Sequence, residues 1–203
     1  MIVKKTIWIP VVIGIVSATL IIAAAEAQFF IPLGNNTSIG IGEIFTTLSA
    51  ALGGPIAAFT TLLLTYGVVG MLHPDLFADM TSTSIILADA TAHFCAMLVV
   101  AIIYSKLLYP LTRKTGFFLL GWIITIGVYY YLAFLPLSVV LLNLADSDFG
   151  ATYPIFAANF IPEFLGTALI TTLFWFASPK YFRRPQWGKL NHKPDQNNEL
   201  QVK

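Results

Sequence analysis

Long apolar runs separated by short polar breaks organise this chain from end to end. The first run, Trp8 to Ile31, follows Lys4 and Lys5 and is long enough for a membrane helix, which takes about 20 apolar residues. No small-residue cleavage pattern leading into a polar domain follows it, so it reads as a retained span and not a signal peptide. Pro32-Leu-Gly-Asn-Asn-Thr-Ser38 is a turn-rich loop. Apolar runs from Ile41 to Leu52 and from Pro55 to Leu72 then flank Gly53-Gly54-Pro55, which predicts a hairpin of one short and one ordinary span. A single helix kinked at Pro55 is the alternative.

Residues 73–83 form a polar loop, Ser84 to Leu108 a fourth span, and Lys106, Arg113 and Lys114 a basic connection. Phe117 to Leu144 is the fifth span, Asp146 to Gly150 an acidic loop, and Thr152 to Ala177 the sixth span. The fold class is therefore all-α, a polytopic integral membrane protein with six transmembrane helices over residues 1–178. Residues 179–203 turn polar and basic and are expected to be a disordered tail. Composition agrees: of the 203 residues 57% are apolar and only 10% charged, and the mean hydropathy is +0.80. That is more apolar surface than one soluble domain of this size hides in a core.

Charge then orients the spans. With six crossings, all 11 basic residues fall on one side, which the positive-inside rule makes cytoplasmic together with both termini. The expected location is a bacterial-type inner membrane. Glu26, Glu43, Asp75, Asp79, Asp89, Asp146, Asp148 and Glu163 lie on the opposite side or within the spans, with His73 and His93 among them.

Carboxylates inside a span are costly and face a partner or a water-filled cavity. Asp89 and His93, four residues apart, share one helical face. They are either ligands or an Asp–His tie between helices. Glu163 lies near the middle of the sixth span, directly after Pro162 and one turn beyond Asn159. It is either a site residue or an interhelical hydrogen-bonding group. Glu43 has an ordinary explanation at a helix start, where the positive dipole end stabilises a carboxylate; Glu26, late in the first span, lacks that excuse. Together Glu26, Asp89, His93, Asn159 and Glu163 are candidate ligands, with Glu43, His73, Asp75 and Asp79 closing the entrance. Such acids with imidazole suit a small cationic solute or a divalent metal ion.

Gly14 with Ala18, and Ala23 with Ala27, are small-residue pairs at helical spacing that let another helix approach closely. Tyr129-Tyr130-Tyr131 and Trp122 either line an aromatic pocket or serve packing and lipid contact. Trp8, Trp175 and Tyr181 read as interface anchors. Cys95 is alone, so there is no internal disulfide. Neither a His-Glu-x-x-His pair, a Gly-x-Ser-x-Gly elbow, nor a nucleotide-binding pattern is present. The chain is accordingly expected not to be an enzyme, to carry no cofactor beyond a bound metal ion, and to bind no nucleic acid.

The span pattern, Ala23-x-x-x-Ala27 on the first helix, the loop after Pro32-Leu-Gly34, and Gly42-Glu-Ile44 leading to Leu52-Gly-Gly-Pro-Ile56 resemble the S components of energy-coupling-factor transporters. That resemblance implies a membrane subunit that captures a vitamin or metal ion from outside, while a transmembrane coupling subunit with ATPases drives release inward. It implies docking of the coupling subunit on Ala23 and Ala27, or on the better placed Gly14 and Ala18. Gly53-Gly-Pro-Ile-Ala-Ala58 and the stretch from Leu87 to Leu108 are also similar to membrane sensor modules of bacterial histidine kinases. This second resemblance implies ligand sensing through a partner. A structural assembly role, in which the acids only tie helices together, is the third expectation.

Overall fold

The computed structural model describes residues 2–27, 30–34, 37–40, 42–69, 83–111, 115–145, 153–178 and 185–187. They are almost entirely helical: α1 (Ile2–Glu26), α2 (Gly42–Leu64), α3 (Thr83–Ile103), α4 (Thr115–Gly127), α5 (Leu135–Ala145) and α6 (Tyr153–Ala177). Wide π-type turns extend α2 over Thr65–Val69 and α3 over Tyr104–Leu108, and join α4 to α5 over Val128–Phe134. Four helices are long and apolar enough to cross a membrane: Ile7–Glu26, Gly42–Val68, Thr83–Leu111 and Gly116–Ala145. A shorter apolar stretch, Phe164–Ala177, lies in α6.

One departure from the all-α expectation stands where the turn-rich loop was read. Strands β1 (Phe30–Gly34) and β2 (Thr37–Gly40) pair antiparallel, with Phe30 opposite Gly40 and Ile31 opposite Ile39. The pairing gives backbone groups between α1 and α2 internal partners, which an open loop would leave to water. β2 packs against α6.

Although Gly42–Val68 qualifies as a span by length and composition, α2 does not run straight. At Gly54 the backbone adopts φ 66° and ψ −153°, a region essentially reserved for glycine. Beyond it the chain folds back. The Thr61 hydroxyl lies 3.0 Å from that of Ser49, although twelve residues of continuous helix would separate them by about 18 Å. The hairpin reading of Gly53-Gly54-Pro55 therefore describes the geometry, and the kinked single helix does not. The arms differ from expectation in length: residues 42–53 extend about 18 Å and residues 55–69 about 22 Å, each short of the roughly 30 Å hydrocarbon layer. α2 is thus a hairpin of two short arms.

Reversed backbone at membrane depth is tolerated only where protein buries it, and small residues make that burial possible. Thr47, Ser49, Ala50, Ala51, Ala57, Ala58 and Thr61 are essentially inaccessible. α1 lies along the hairpin, with Ile13 beside Gly53 and Ile21 beside Gly42. A Cβ on Gly14 would sit 2.6 Å from Thr60 Cβ and 2.8 Å from the Ala57 carbonyl. The Gly14 and Ala18 face is thus filled by the chain's own hairpin, Ala18 being buried, which corrects its assignment as a docking face; Ala23 and Ala27 remain exposed.

The long helices pack antiparallel beyond the hairpin. Trp122 donates its Nε1–H to Thr171 Oγ1 at 2.8 Å, and the Tyr130 and Thr167 hydroxyls are 3.0 Å apart. Tyr104, Phe118, Trp122 and Trp175 form a ring cluster in which Tyr104 stacks on Trp175 at 5.2 Å. Trp175 is 2% exposed and is a core residue; reading it as an interface anchor failed because stacking claims the ring. The outward face of α6 carries exposed Leu165, Leu169 and Leu173 at four-residue spacing, and Leu132 and Leu144 project farther still, at 73% and 80% exposure. Such a continuous apolar exterior belongs in a lipid bilayer.

The tail also departs in part from expectation. Pro185, Gln186 and Trp187 are described, and the Gln186 N–H donates to the Leu52 carbonyl at 2.7 Å, beside the hairpin turn. Trp187 lies against Gly54. Residues 179–184 and 188–203 lie outside the described residues.

A side chain at Gly54 would meet both an L-residue backbone penalty of about 1–3 kcal/mol and the Trp187 indole, 2.2 Å from the Cβ position. Gly54→Ala is expected to lower the melting temperature of detergent-purified protein by several degrees. Gly116→Ala, with nothing within 4 Å of its Cβ position, is the control and should leave it nearly unchanged.

Candidate functional site

Folding α2 back brings the open ends of its two arms to one place. Glu43 begins the first arm and Tyr66 follows the second, and both reach His93 on α3. The Glu43 Oε1 atom lies 3.1 Å from His93 Nε2. On the other side of the ring, His93 Nδ1 is 3.4 Å from Asp89 Oδ2, 3.1 Å from the Asp89 carbonyl and 3.1 Å from the Tyr66 hydroxyl. Tyr66 in turn donates to the Asp89 carboxylate. The second Glu43 oxygen accepts from the Tyr129 hydroxyl at 2.8 Å.

Both ring nitrogens therefore face oxygen acceptors, an arrangement that a doubly protonated imidazole satisfies. With both carboxylates ionised around one imidazolium, the group would carry a net negative charge. Its side chains are largely removed from solvent, at 10% exposure for Asp89, 11% for His93 and 22% for Glu43. Phe134 covers the imidazole with its ring centroid 4.0 Å away. Tyr129 lies near the middle of the Gly116–Ala145 helix, so the group sits well within the apolar bundle.

Local backbone geometry aims each member. Asp89 and His93 are one turn apart and meet by helical spacing alone. Tyr66 and Tyr129 both belong to wide π-type turns, irregularities frequent at functional sites. The buried hydroxyls without a partner among the described residues include Thr65 Oγ1, next to Tyr66 in sequence, and Ser138 Oγ. Ser138 is one turn beyond Phe134, on the same helical face. Orphan buried hydroxyls mark places where a water or a ligand polar group completes the bonding.

The candidates separate accordingly. Asp89 and His93 come together as expected, and Glu43 joins them as a direct partner, not merely a helix-start carboxylate. Glu26 is exposed on the last turn of α1. Asn159 and Glu163 lie along α6, with side chains outside the described residues. His73, Asp75 and Asp79 also lie outside the described residues.

Tyr66 and Phe134 escaped the sequence reading. The signal for Tyr66 was present, because residues 43 and 66 are nearly equidistant from the turn at Gly54 and a hairpin must pair them. Tyr129 belongs to the aromatic run read as either pocket lining or packing, and its bond to Glu43 has no signal in the sequence.

The geometry also bears on metal binding. Among the described residues no three His, Cys, Asp or Glu side chains are placed to hold a metal ion. His93 shows why: its two nitrogens point at different carboxylates instead of joining them at one centre. An apolar groove of about 420 Å3, lined by Cys95, Val99, Leu132, Ala133, Pro136, Leu137 and Val140, opens on the outside of the bundle and does not include this group. Comparison of the chain with protein-family models, curated proteins and solved structures finds no match in any of the three.

Truncating one member of a buried ion pair costs about 3–5 kcal/mol because the other charge is left alone. His93→Ala is expected to destabilise the protein by that order. Tyr129→Phe should cost about 1–3 kcal/mol, the range for a hydrogen bond to a charged group. Asp89→Asn and Tyr66→Phe share a hydrogen bond and should depart from additivity by at least about 0.5 kcal/mol. Unfolding in detergent measures all three, and strict additivity of the last pair would contradict the geometry.

Proposed function

We propose that this chain is the substrate-capture subunit of a membrane transporter, binding a small organic cation at the Glu43, Asp89 and His93 group. The observation that carries the reading is the pair of carboxylates sharing one imidazole inside an apolar bundle. Intramembrane ionisable groups are costly, and function is the default reason for keeping them. The residual negative charge attracts a cation. The rings of Tyr66, Tyr129, His93 and Phe134 around it favour an organic ammonium or amidinium, which aromatic faces also attract. A divalent metal fits less well, since His93 would first have to release one carboxylate.

Entry is from the outer face and the basic connections are cytoplasmic, by the positive-inside rule. The membrane is a bacterial-type inner membrane, with both termini cytoplasmic. The chain has no nucleotide-binding pattern, so partner subunits with ATPase activity supply the energy, engaging the exposed Ala23 and Ala27 end of α1.

A structural role is the second reading, and one observation favours it. Each carboxylate already has partners within the chain, Asp89 in Tyr66 and His93, Glu43 in His93 and Tyr129. In that role the group ties α2, α3 and the helix of Tyr129 together and binds nothing.

A thermal-shift panel decides between them. Detergent-purified protein is heated with guanidinium, imidazolium, polyamines and divalent metals, each over a concentration series. A ligand selective for the folded state stabilises it by about 2.7 kcal/mol at one hundred times its dissociation constant. Capture predicts a rise with an organic cation that Glu43→Gln and Asp89→Asn abolish. A flat response to every cation, or a rise that survives both substitutions, leaves the tie between helices as the function.

A further inference from the structure

Asp89 does not spend its whole carboxylate on partners within the chain. Tyr66 donates to Oδ2 and His93 Nδ1 stands 3.4 Å from the same atom, while Oδ1 has no partner among the described residues. Glu43 differs, with Oε1 against His93 and Oε2 taken by Tyr129. What faces Asp89 follows from helix register. Leu108 lies against Gly121, the Tyr104 ring against Trp122, and the His93 ring against Phe134. Residue numbers fall along one helix as they rise along the other, so the two run antiparallel. The next step, one turn on each helix, sets Asp89 of α3 level with Ser138 of α5. Ser138 is 5% exposed, and its Oγ has no partner among the described residues. Thr47, Thr60, Thr61, Thr125 and Thr171 each donate to the carbonyl four residues back; Ser138 does not.

We infer that Asp89 Oδ1 and Ser138 Oγ together accept the N–H groups of the captured cation, so that the site takes protonated amines, guanidines or amidines and turns away quaternary ammonium ions. The inference rests on the capture reading and names the atoms that select within it. A carboxylate oxygen and a hydroxyl both accept from N–H, and a cation with two or more such donors supplies both at once. A quaternary ammonium has none. Its charge still attracts the aromatic faces, but it leaves the Ser138 hydroxyl buried without a bond, which is costly. Sites built to bond a substrate N–H reject the analogue lacking it far more strongly than a pocket that sorts by size alone.

The cation panel tests this when tetramethylammonium, which has no N–H, is added to it and each titration is repeated on full-length Ser138→Ala protein. Without ligand, Ser138→Ala should melt no lower than the wild type, because the hydroxyl it loses has no partner. A fall of several degrees would show that the hydroxyl is bonded within the chain and would overturn the assignment. With ligand, Ser138→Ala should bind the guanidinium, imidazolium and polyamine probes about tenfold more weakly, the size of a hydrogen bond to a charged group. Tetramethylammonium should behave alike in both proteins. Equal affinity of the two proteins for every N–H cation, or an equal loss for tetramethylammonium, would overturn the role of Ser138 and leave capture at Glu43 and Asp89 standing. A flat response of the wild type to every cation removes the capture reading and this one with it.

Discussion

A polypeptide that reverses direction inside an apolar bundle must find partners for its backbone within its own protein, since lipid offers none. That requirement shapes most of what surrounds α2. It accounts for the glycine on α1 that admits Thr60 and the Ala57 carbonyl at closer than side-chain distance. It accounts for the run of alanines, serines and threonines lining both arms, and for a hydroxyl bridge between Ser49 and Thr61. The same reversal creates the chemistry, because only a folded α2 sets Glu43 and Tyr66 on the same histidine.

Polar interactions in the bundle divide into two kinds. Near the Tyr104 and Trp175 stack, hydroxyl and indole bonds such as Trp122 to Thr171 pin α4 to α6 among tightly packed rings, and no charge is involved. In the Asp89 and His93 group charges dominate, and four separate stretches of chain contribute to it. Buried ion pairs seldom add net stability over apolar packing, so the second arrangement costs more to maintain than the first.

Much of this was legible in the residues, and for physical reasons. Apolar run length marks membrane helices because hydrocarbon thickness is fixed, and Gly-Gly-Pro marks the reversal because few other triplets permit it. Asp89 and His93 declared themselves through helical periodicity. What stayed hidden depended on contacts distant in sequence. Gly14 and Ala18 look the same whether the helix they receive belongs to a partner or to the same chain. Trp175 has the composition of an interface anchor, and only the rings of Tyr104 and Phe118 make it core. The tail is polar enough to read as disordered throughout, yet Gln186 and Trp187 seat part of it against the hairpin turn.

The position of Trp187 in the chain has a consequence for how the protein is made. Neither arm of α2 is long enough to insert as an independent span, and both are synthesised before α3, α4, α5 and α6. The residue that covers their turn emerges from the ribosome after all of those helices. The hairpin therefore waits, without that indole over its turn, through the translation of more than half the chain.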